Sequence, residues 1–298
     1  MPSSSPLNIA VVGAGRIGST FGFQLARTGR HVVTMVARPG SSRLQQLRRD
    51  GGIVDIKGAR AATRVADSLD EQTPYDLVIV TLLAHQVDAV LPALQRSAAK
   101  CIQFMFNTFE PERLRDAVGP ERCSFGMPFV QANLDDDGKL KAVIGSMGQK
   151  TLMGQKRWVD LFNDAGLPAA LEHEMTLWLR CHAPLCVAFE SVCIAGQRRG
   201  GGASWGEVVT IARGVQESFA LVKGLGYPIY PRMKARLSGC PVWVLASVLW
   251  FMSRIPSFRE LLATGGNECR ALVDSMLAAA PRANPPVVSS RIKAMRPL

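Results

Sequence analysis

The sequence lacks paired cysteines, an apolar run of membrane length and a secretory leader. Its seven cysteines are odd in number and scattered, with no C-x-x-C spacing, so we expect neither a disulfide framework nor a metal site. The opening stretch Met1–Pro6 has no charged segment followed by an apolar one, which predicts a short disordered lead rather than a signal peptide. Together these absences indicate a reduced, cytoplasmic setting without a membrane partner.

The longest hydrophobic run, Val242–Met252, has about half the length that a bilayer-spanning helix needs. We expect it to form a buried helix of a soluble domain. An interfacial or oligomer-facing helix is the alternative, and it leaves a homodimer open.

Acidic residues are scarce in the second part of the chain. The net charge is +11 over 298 residues, with 20 Lys and Arg against 17 Asp and Glu in residues 1–173, and 15 against 7 in residues 174–298. Such a field attracts a small anionic substrate, although a solvated basic surface gives the same excess. Basic residues do not cluster with aromatic ones, so we expect no nucleic-acid binding.

A glycine motif follows the first apolar stretch of the chain. Gly13 permits a tight turn after a buried strand, Gly15 lets a pyrophosphate approach the backbone, and Gly18 lets the next helix pack closely. The phosphates would lie at the helix N-terminus, where free N–H groups point at them. We therefore predict a dinucleotide site, with a plain structural turn as the alternative. Its expected residues are Gly13, Ala14, Gly15, Arg16, Ile17 and Gly18.

No acidic residue occurs between this motif and Asp50. An NAD-preferring site carries an Asp or Glu about 20 residues beyond its glycines to bind the ribose hydroxyls. Here Arg38 ends the second predicted strand, with Ser41, Ser42 and Arg43 beside it. The pattern favours the 2′-phosphate of NADP, while Arg38 as an ordinary surface residue remains the alternative.

The pattern of apolar residues changes near residues 170–175. Before it, apolar runs alternate with helical patterns, which predicts a doubly wound α/β fold, and the acidic triplet before Gly138 reads as a turn between two strands. After it, only helical patterns occur, including one with a single apolar stripe from Val208 to Leu225. We predict an NADP-binding Rossmann domain over residues 1–173 and an all-helical substrate or dimerisation domain over residues 174–298.

The ordered set of motifs resembles the ketopantoate reductase (2-dehydropantoate 2-reductase) family. The glycine motif and Arg38 match its NADP-binding turn, and Asn107 falls where the family has an Asn-Gly near the nicotinamide. The stretch Thr81–Val87 is similar to the family's Thr-Leu-Lys-Ala-x-Gln-Val, and Leu177–Arg180 to its Leu-Trp-x-Lys with the catalytic lysine. The late acidic residue of the family, which helps to bind substrate and cofactor, corresponds to Glu268.

The resemblance implies NADPH-dependent reduction of a small carbonyl compound, such as a 2-oxo acid. It also implies a helical C-terminal domain similar to that of 6-phosphogluconate dehydrogenase.

Several motif positions differ from the family pattern. Arg180 replaces the catalytic lysine, Leu83 replaces the lysine of the cofactor stretch, and Thr108 replaces a glycine. Four and eight residues after Arg180, where the family has pocket asparagines, the chain has Pro184 and Ala188. The segment also resembles a branch of the family with a histidine at the position of His182.

These differences change the chemistry expected of the site. An arginine is a poor acid but binds a carboxylate with two donors, so we expect Arg180 to orient an acidic substrate, with a structural ion pair as the alternative. His182 becomes the candidate proton donor, since its ordinary pKa lies near working pH, although a structural histidine is the alternative. Glu268 is expected either to act in the site or to cap a helix. Ser253 and Ser257 both fall near the family's substrate-contacting serine.

Two other classes of function remain open at this stage. The chain could be a non-redox biosynthetic enzyme on the same scaffold, or an NADP-binding regulatory protein without turnover.

Overall fold

The computed structural model describes residues 5–263 and 265–297, apart from the side chains of Met147 and Leu261. Residues 1–4 of the predicted disordered lead lie outside this part. The chain folds as two compact units. Unit 1 runs to Phe106 and continues with Glu112–Met175, whereas unit 2 consists of Asn107–Pro111 and the chain from Thr176 onward.

Unit 1 contains the strands of the protein together with short helices between them. The strands are β1 (Asn8–Val12), β2 (Val32–Val36), β3 (Gly52–Val54), β4 (Arg60–Ala62), β5 (Arg64–Ala66), β6 (Leu77–Val80), β7 (Ile102–Met105), β8 (Cys123–Met127), β9 (Val130–Leu134), β10 (Leu140–Ile144), β11 (Thr151–Met153) and β12 (Ala169–Leu171). The helices in this part of the chain are α1 (Arg16–Ala26), α2 (Ser42–Asp50), α3 (Leu91–Arg96), α4 (Pro111–Val118) and α5 (Lys156–Asp164).

Eight strands form one sheet in the order β12-β11-β8-β7-β6-β1-β2-β5. All neighbours from β5 to β8 pair in parallel, and β11 is antiparallel to β8. The central strands β1, β6 and β7 are buried and apolar apart from Asn8 and Gln103, as is typical of sheets covered on both faces. Because the strand order reverses between β1 and β6, the carboxyl ends of these two strands form the switch point at which doubly wound folds bind ligands.

The turn predicted before Gly138 is confirmed. Strands β9 and β10 pair antiparallel on either side of it, with Leu134 opposite Leu140. Gly138 has φ +72°, a conformation that favours glycine. The sequence pattern had not indicated α2, α4, β8 and β11, which are all short elements of three to nine residues.

In the described chain beyond β12 all regular elements are helical, as predicted. They are α6 (Met175–Arg198), α7 (Trp205–Gly224), α8 (Arg232–Gly239), α9 (Val242–Met252), α10 (Pro256–Leu262), α11 (Gly266–Ala279) and α12 (Ser289–Lys293). A capping box between Ser204 and Glu207 starts α7, and its predicted apolar stripe is buried from Val208 to Val222. The predicted fold class, a Rossmann-type α/β part followed by a helical part, is confirmed.

Helix α9 is not buried as a whole, which corrects the expectation from its sequence. Leu245, Ala246 and Leu249 are buried, whereas Trp243 and Phe251 are 66% and 64% exposed. The helix is apolar on all sides but packs only one of them. By contrast, α6 is the described helix that is by itself long and apolar enough to span a membrane. Within its most apolar stretch, 72% is buried inside the protein, as in a core helix.

Candidate active site

The glycine turn of unit 1 lies at the switch point of the sheet, directly after β1. Gly13 has φ +105°, its N–H donates to the carbonyl of Val36 at 3.0 Å, and its own carbonyl accepts the hydroxyl of Thr81 at 2.8 Å. Thr81 follows β6, so these bonds connect the ends of three neighbouring strands. The turn is therefore rigidly held where a ligand of this fold binds.

The other two glycines of the motif differ in what surrounds them. A β-carbon at Gly18 would stand 1.8 Å from the carbonyl oxygen of Gly13, so the close approach of α1 to the turn requires a glycine. A β-carbon at Gly15 would meet no heavy atom of the described chain within 4 Å. Packing therefore does not explain a glycine at position 15, but a phosphate approaching the backbone does.

Helix α1 begins at Arg16 without a side chain capping its N-terminus. Its first N–H groups thus remain for an anion, which fits the pyrophosphate of a dinucleotide. Ala14 is buried, while Gly15 and Arg16 are exposed and Ile17 is half-buried. The residues present therefore fit a dinucleotide, because there is open space at Gly15 and the N-terminus of α1 has no side-chain cap.

The basic residues after β2 have different surroundings. Arg38 is exposed. Arg43 instead turns inward, donating to the carbonyl of Ala14 at 3.1 Å, to the carbonyl of Gly138 at 2.7 Å and to the hydroxyl of Ser19 at 2.7 Å. Because its guanidinium is used in these bonds within unit 1, Arg43 has a structural role, unlike Arg38, beside which the sequence had placed it as part of a phosphate site.

Ser41 is also committed to the structure, since its hydroxyl accepts the N–H of Leu44 as the N-cap of α2 and donates to the carbonyl of Arg38. Leu83 lies in the turn after β6, is 37% exposed, and donates its N–H to Gln86 at 3.2 Å. Of the polar side chains expected around a 2′-phosphate, Arg38 and Ser42 are the exposed ones.

Within unit 2 the structure brings two of the predicted site residues together. The side-chain nitrogen of Asn107 donates to Oε1 of Glu268 at 3.0 Å and to the sulfur of Cys186 at 3.2 Å. Asn107 is 5% exposed, and its side-chain oxygen has no hydrogen-bond partner in the described protein. A buried acceptor without a donor lowers the stability of the folded protein by about 1–3 kcal/mol, and a bound ligand that supplies the donor removes this cost.

Two further residues, which no motif had indicated, extend this pair. Glu190 is 8% exposed, and its carboxylate accepts the thiol of Cys269 at 2.9 Å and that of Cys186 at 3.6 Å. Burial, and then the charge of Glu268, raise the pKa of Glu190 to about 7. Burial also raises the pKa of both thiols, so they remain protonated donors at neutral pH. We define the Asn107 cluster as Asn107, Cys186, Glu190, Glu268 and Cys269.

The polar face of α6 is therefore the one that carries His182, Cys186 and Glu190 at intervals of four residues. Pro184 and Ala188, the positions that follow from the family motif, are both buried, and Ala188 belongs to the apolar core of unit 2. The spacing of the three polar residues could have revealed this face from the sequence.

Arg180 lies on a different side of α6. It is 3% exposed, and its guanidinium carbon lies 4.0 Å from the ring centre of Tyr227 and 5.5 Å from that of Phe109. Phe109 is two residues from Asn107, so this stacking holds the Asn107 segment against α6.

His182 is half-buried and packs against an aromatic ring. Its ring centre lies 4.4 Å from that of Trp178, and Lys234 stacks on the same tryptophan at 3.8 Å. Burial, and then the positive charge of Lys234, lower the pKa of His182 to about 3. The imidazole is thus neutral at working pH, and this geometry does not support the ordinary pKa on which its proton-donor role was based.

The two candidate serines also lie apart from the Asn107 cluster. Ser253 is fully buried, where its hydroxyl accepts the N–H of Ala203 at 3.0 Å and donates to the carbonyl of Trp250 at 2.8 Å. Ser257 is exposed on α10. A cavity of about 280 Å³, bordered by Ser191, Arg198 and Thr210 among others, contains none of the predicted site residues.

Comparisons with known proteins bear on the family and the fold of the chain. The family model for ketopantoate reductase PanE/ApbA matches residues 9–156. A search of curated proteins gives no significant match. A PanE/ApbA family ketopantoate reductase from Ralstonia eutropha is 15% identical, with a TM-score of 0.71 over 97% of this chain and 96% of that one.

Two other solved structures share the fold at similar identity. A 2-dehydropantoate 2-reductase from Porphyromonas gingivalis is 16% identical, with a TM-score of 0.67 over 97% of this chain and 98% of that one. A D-mandelate dehydrogenase solved with NADH is 17% identical, with a TM-score of 0.70 over 97% and 96% of the two chains. Given the matching model and the shared fold, the chain belongs to the ketopantoate reductase PanE/ApbA family as a divergent member.

Proposed function

We propose that the protein is an NADPH-dependent reductase of a small 2-oxo acid. The observation that carries this proposal is the Asn107–Glu268 contact, in which a buried amide donates to a carboxylate and keeps its own oxygen available. Both residues match family positions near the nicotinamide and the substrate. D-mandelate dehydrogenase, a structure with the same fold, is solved with NADH.

The glycine turn and α1 are proposed to hold the pyrophosphate, with Gly15 leaving room for it and the helix N-terminus supplying N–H donors. Arg38 is proposed to bind the 2′-phosphate, because it is exposed and no acidic side chain precedes Asp50. Asn107 and Leu83 are proposed to contact the nicotinamide half. When bound, the nicotinamide supplies a hydride to the 2-oxo carbon.

The Asn107 cluster is proposed to orient the reacting carbonyl compound. The free oxygen of Asn107 accepts a hydrogen bond from a hydroxyl or carboxamide of a ligand, while its amide group stays fixed by Glu268 and Cys186. The excess of basic residues after residue 173 attracts an anionic substrate. We propose that Arg180 serves by holding Phe109, and therefore Asn107, in place.

The test is a panel of 2-oxo acids with NADPH, in which the loss of NADPH absorbance and the appearance of the 2-hydroxy acid are both followed. We expect turnover with at least one member of the panel. Asn107→Ala is expected to lower kcat/KM by about 100-fold, since the ligand loses a buried hydrogen bond and Glu268 loses the amide that donates to it. Asn133→Ala, the same substitution at an exposed position of β9, is the matched control. Tight NADPH binding without oxidation by any compound would favour a non-redox enzyme or a regulatory protein.

A further inference from the structure

Glu190 is a buried carboxyl group to which neither the family motifs nor the proposed function gives a role. It lies on α6, one turn after Cys186, and faces the start of α11. A β-carbon at Gly265, the residue that precedes α11, would stand 1.9 Å from Oε2 of Glu190. The carboxyl group therefore occupies a place that only a glycine leaves open.

The contacts of Glu190 connect it to both members of the Asn107–Glu268 pair. Asn107 donates to the sulfur of Cys186 at 3.2 Å, and the Cys186 thiol in turn faces Oε1 of Glu190 at 3.6 Å. On the other side, Cys269 donates to Oε2 of Glu190 at 2.9 Å and follows Glu268 in the sequence. Glu190 thus lies between two thiols. Cys186 contacts Asn107, and Cys269 is the sequence neighbour of Glu268.

The charge state of Glu190 affects that pair directly. Among the described residues, the titratable groups that interact with it are Cys186 and Cys193 of its own helix and Glu268 and Cys269 of α11. The thiols are protonated at neutral pH because burial raises their pKa values, so Glu268 is the charge that Glu190 meets. Two ionised carboxylates in such surroundings repel each other. The amide of Asn107 can donate to Glu268 in only one arrangement of the Glu268 side chain, so this repulsion acts against the Asn107–Glu268 bond.

We propose that Glu190 is a positioning residue of the reductase site, which when protonated leaves Glu268 bonded to Asn107 and when ionised weakens that bond. This inference rests on the proposed function for its link to substrate, but not for the behaviour of the cluster itself. Since burial and Glu268 place the pKa of Glu190 at about 7, the change occurs in the neutral range. Ligand binding is then stronger at pH 6 than at pH 8.

The experiment follows the side-chain amide signals of Asn107 by NMR in protein labelled with ¹⁵N-asparagine, assigned with Asn107→Ser. In the wild-type protein these signals should move with a midpoint near pH 7. In Glu190→Gln, which keeps the shape of the side chain but cannot ionise, the movement should be lost. Glu260→Gln, at an exposed carboxylate, is the matched control and should leave the midpoint unchanged.

Cys269→Ala gives a second, directional test. The thiol of Cys269 lowers the pKa of Glu190 by donating to its carboxylate, so its removal should move the midpoint upward. A midpoint that persists in Glu190→Gln, or signals that do not move in the wild-type protein, would overturn the proposal.

Kinetics then connect the cluster to catalysis. For the 2-oxo acid that is reduced, KM should rise about tenfold from pH 6 to pH 8 in the wild-type protein and stay flat in Glu190→Gln, with a smaller effect on kcat. A KM that rises equally in both proteins contradicts the link to substrate. Because the NMR titration needs no substrate, it still decides the role of Glu190 if no 2-oxo acid is reduced.

Discussion

The side-chain nitrogen of Asn107 lies 3.0 Å from Oε1 of Glu268, although the two residues are 161 positions apart in the chain. Asn107 belongs to a five-residue segment, Asn107–Pro111, that packs with the helical unit although it directly follows the region of β7. Phe109 holds this segment against Arg180, and Glu268 lies in the first turn of α11. The tertiary fold, rather than local sequence, thus creates the polar centre of unit 2.

The glycine turn offers a test that separates packing from ligand binding. Gly15→Ala should leave the melting temperature unchanged, because its β-carbon meets no described atom, yet NADPH affinity should fall about tenfold, or about 1.4 kcal/mol. Thermal melts and fluorescence titration with NADPH measure the two effects.

Gly18→Ala is the matched comparison at the same turn. Its β-carbon would stand 1.8 Å from the carbonyl oxygen of Gly13, so this variant should lose about 3 kcal/mol of stability. If Gly15→Ala binds NADPH normally, the phosphate does not approach the turn as proposed.

Arg38 and Arg43 provide a test of the choice of cofactor. Arg38→Ala should weaken NADPH binding about 10- to 100-fold and leave NADH binding unchanged, since only the 2′-phosphate loses a charge-assisted bond. Arg43→Ala should instead lower the melting temperature, because Arg43 bonds to Ala14, Ser19 and Gly138. Equal losses for NADPH and NADH in Arg38→Ala would contradict the preference for NADP.

Glu190 predicts a particular dependence of stability on pH. Its pKa rises from 4.5 to about 7 on folding, so the folded state keeps its proton where the unfolded state has lost it. Stability is therefore fully present below pH 4.5 and falls by about 3 kcal/mol as the pH rises through 7. Glu190→Gln should abolish this part of the decline, so that the variant is more stable than the wild-type protein at pH 8. Urea unfolding at pH 5 and pH 8 measures it, and parallel curves for both proteins contradict the shift.

Arg180 is predicted to act through packing rather than as an acid. Arg180→Lys should lower stability by about 1–2 kcal/mol, because an ammonium group cannot reproduce the stacking of a planar guanidinium on Tyr227 and Phe109. Thermal unfolding tests this change, with the exposed Arg236→Lys as its control. An unchanged melting temperature together with a raised kcat would show instead that position 180 carries the catalytic lysine of the family.

His182 is expected to leave the pH profile of the enzyme unaffected. With a pKa of about 3 it is neutral throughout the working range. His182→Gln should therefore keep the shape of the kcat/KM profile between pH 5 and pH 8. A limb near pH 6.5 that disappears in this variant would restore His182 as the proton donor.

Local patterns predicted the parts of the fold that local chemistry determines. The glycine turn follows from a buried strand before it and a helix after it, and the turn at Gly138 from its acidic run and its glycine. Which face of α6 is polar could not be obtained from a motif, because the motif places Pro184 and Ala188 toward the site whereas packing buries them. The burial of Glu190 could not be predicted from that residue alone, because the sequence does not show whether an acidic residue is exposed or is packed against α11. Its spacing from His182 and Cys186 was the available clue.

The most direct measurement is the transfer of deuterium from NADPH labelled at the nicotinamide C4 position to a 2-oxo acid, with the product analysed by mass spectrometry. We predict a 2-hydroxy acid carrying one deuterium at C2 from the wild-type protein and about 100-fold less of it from Asn107→Ala. A product without deuterium, or no product while NADPH remains tightly bound, would contradict the assignment as a reductase.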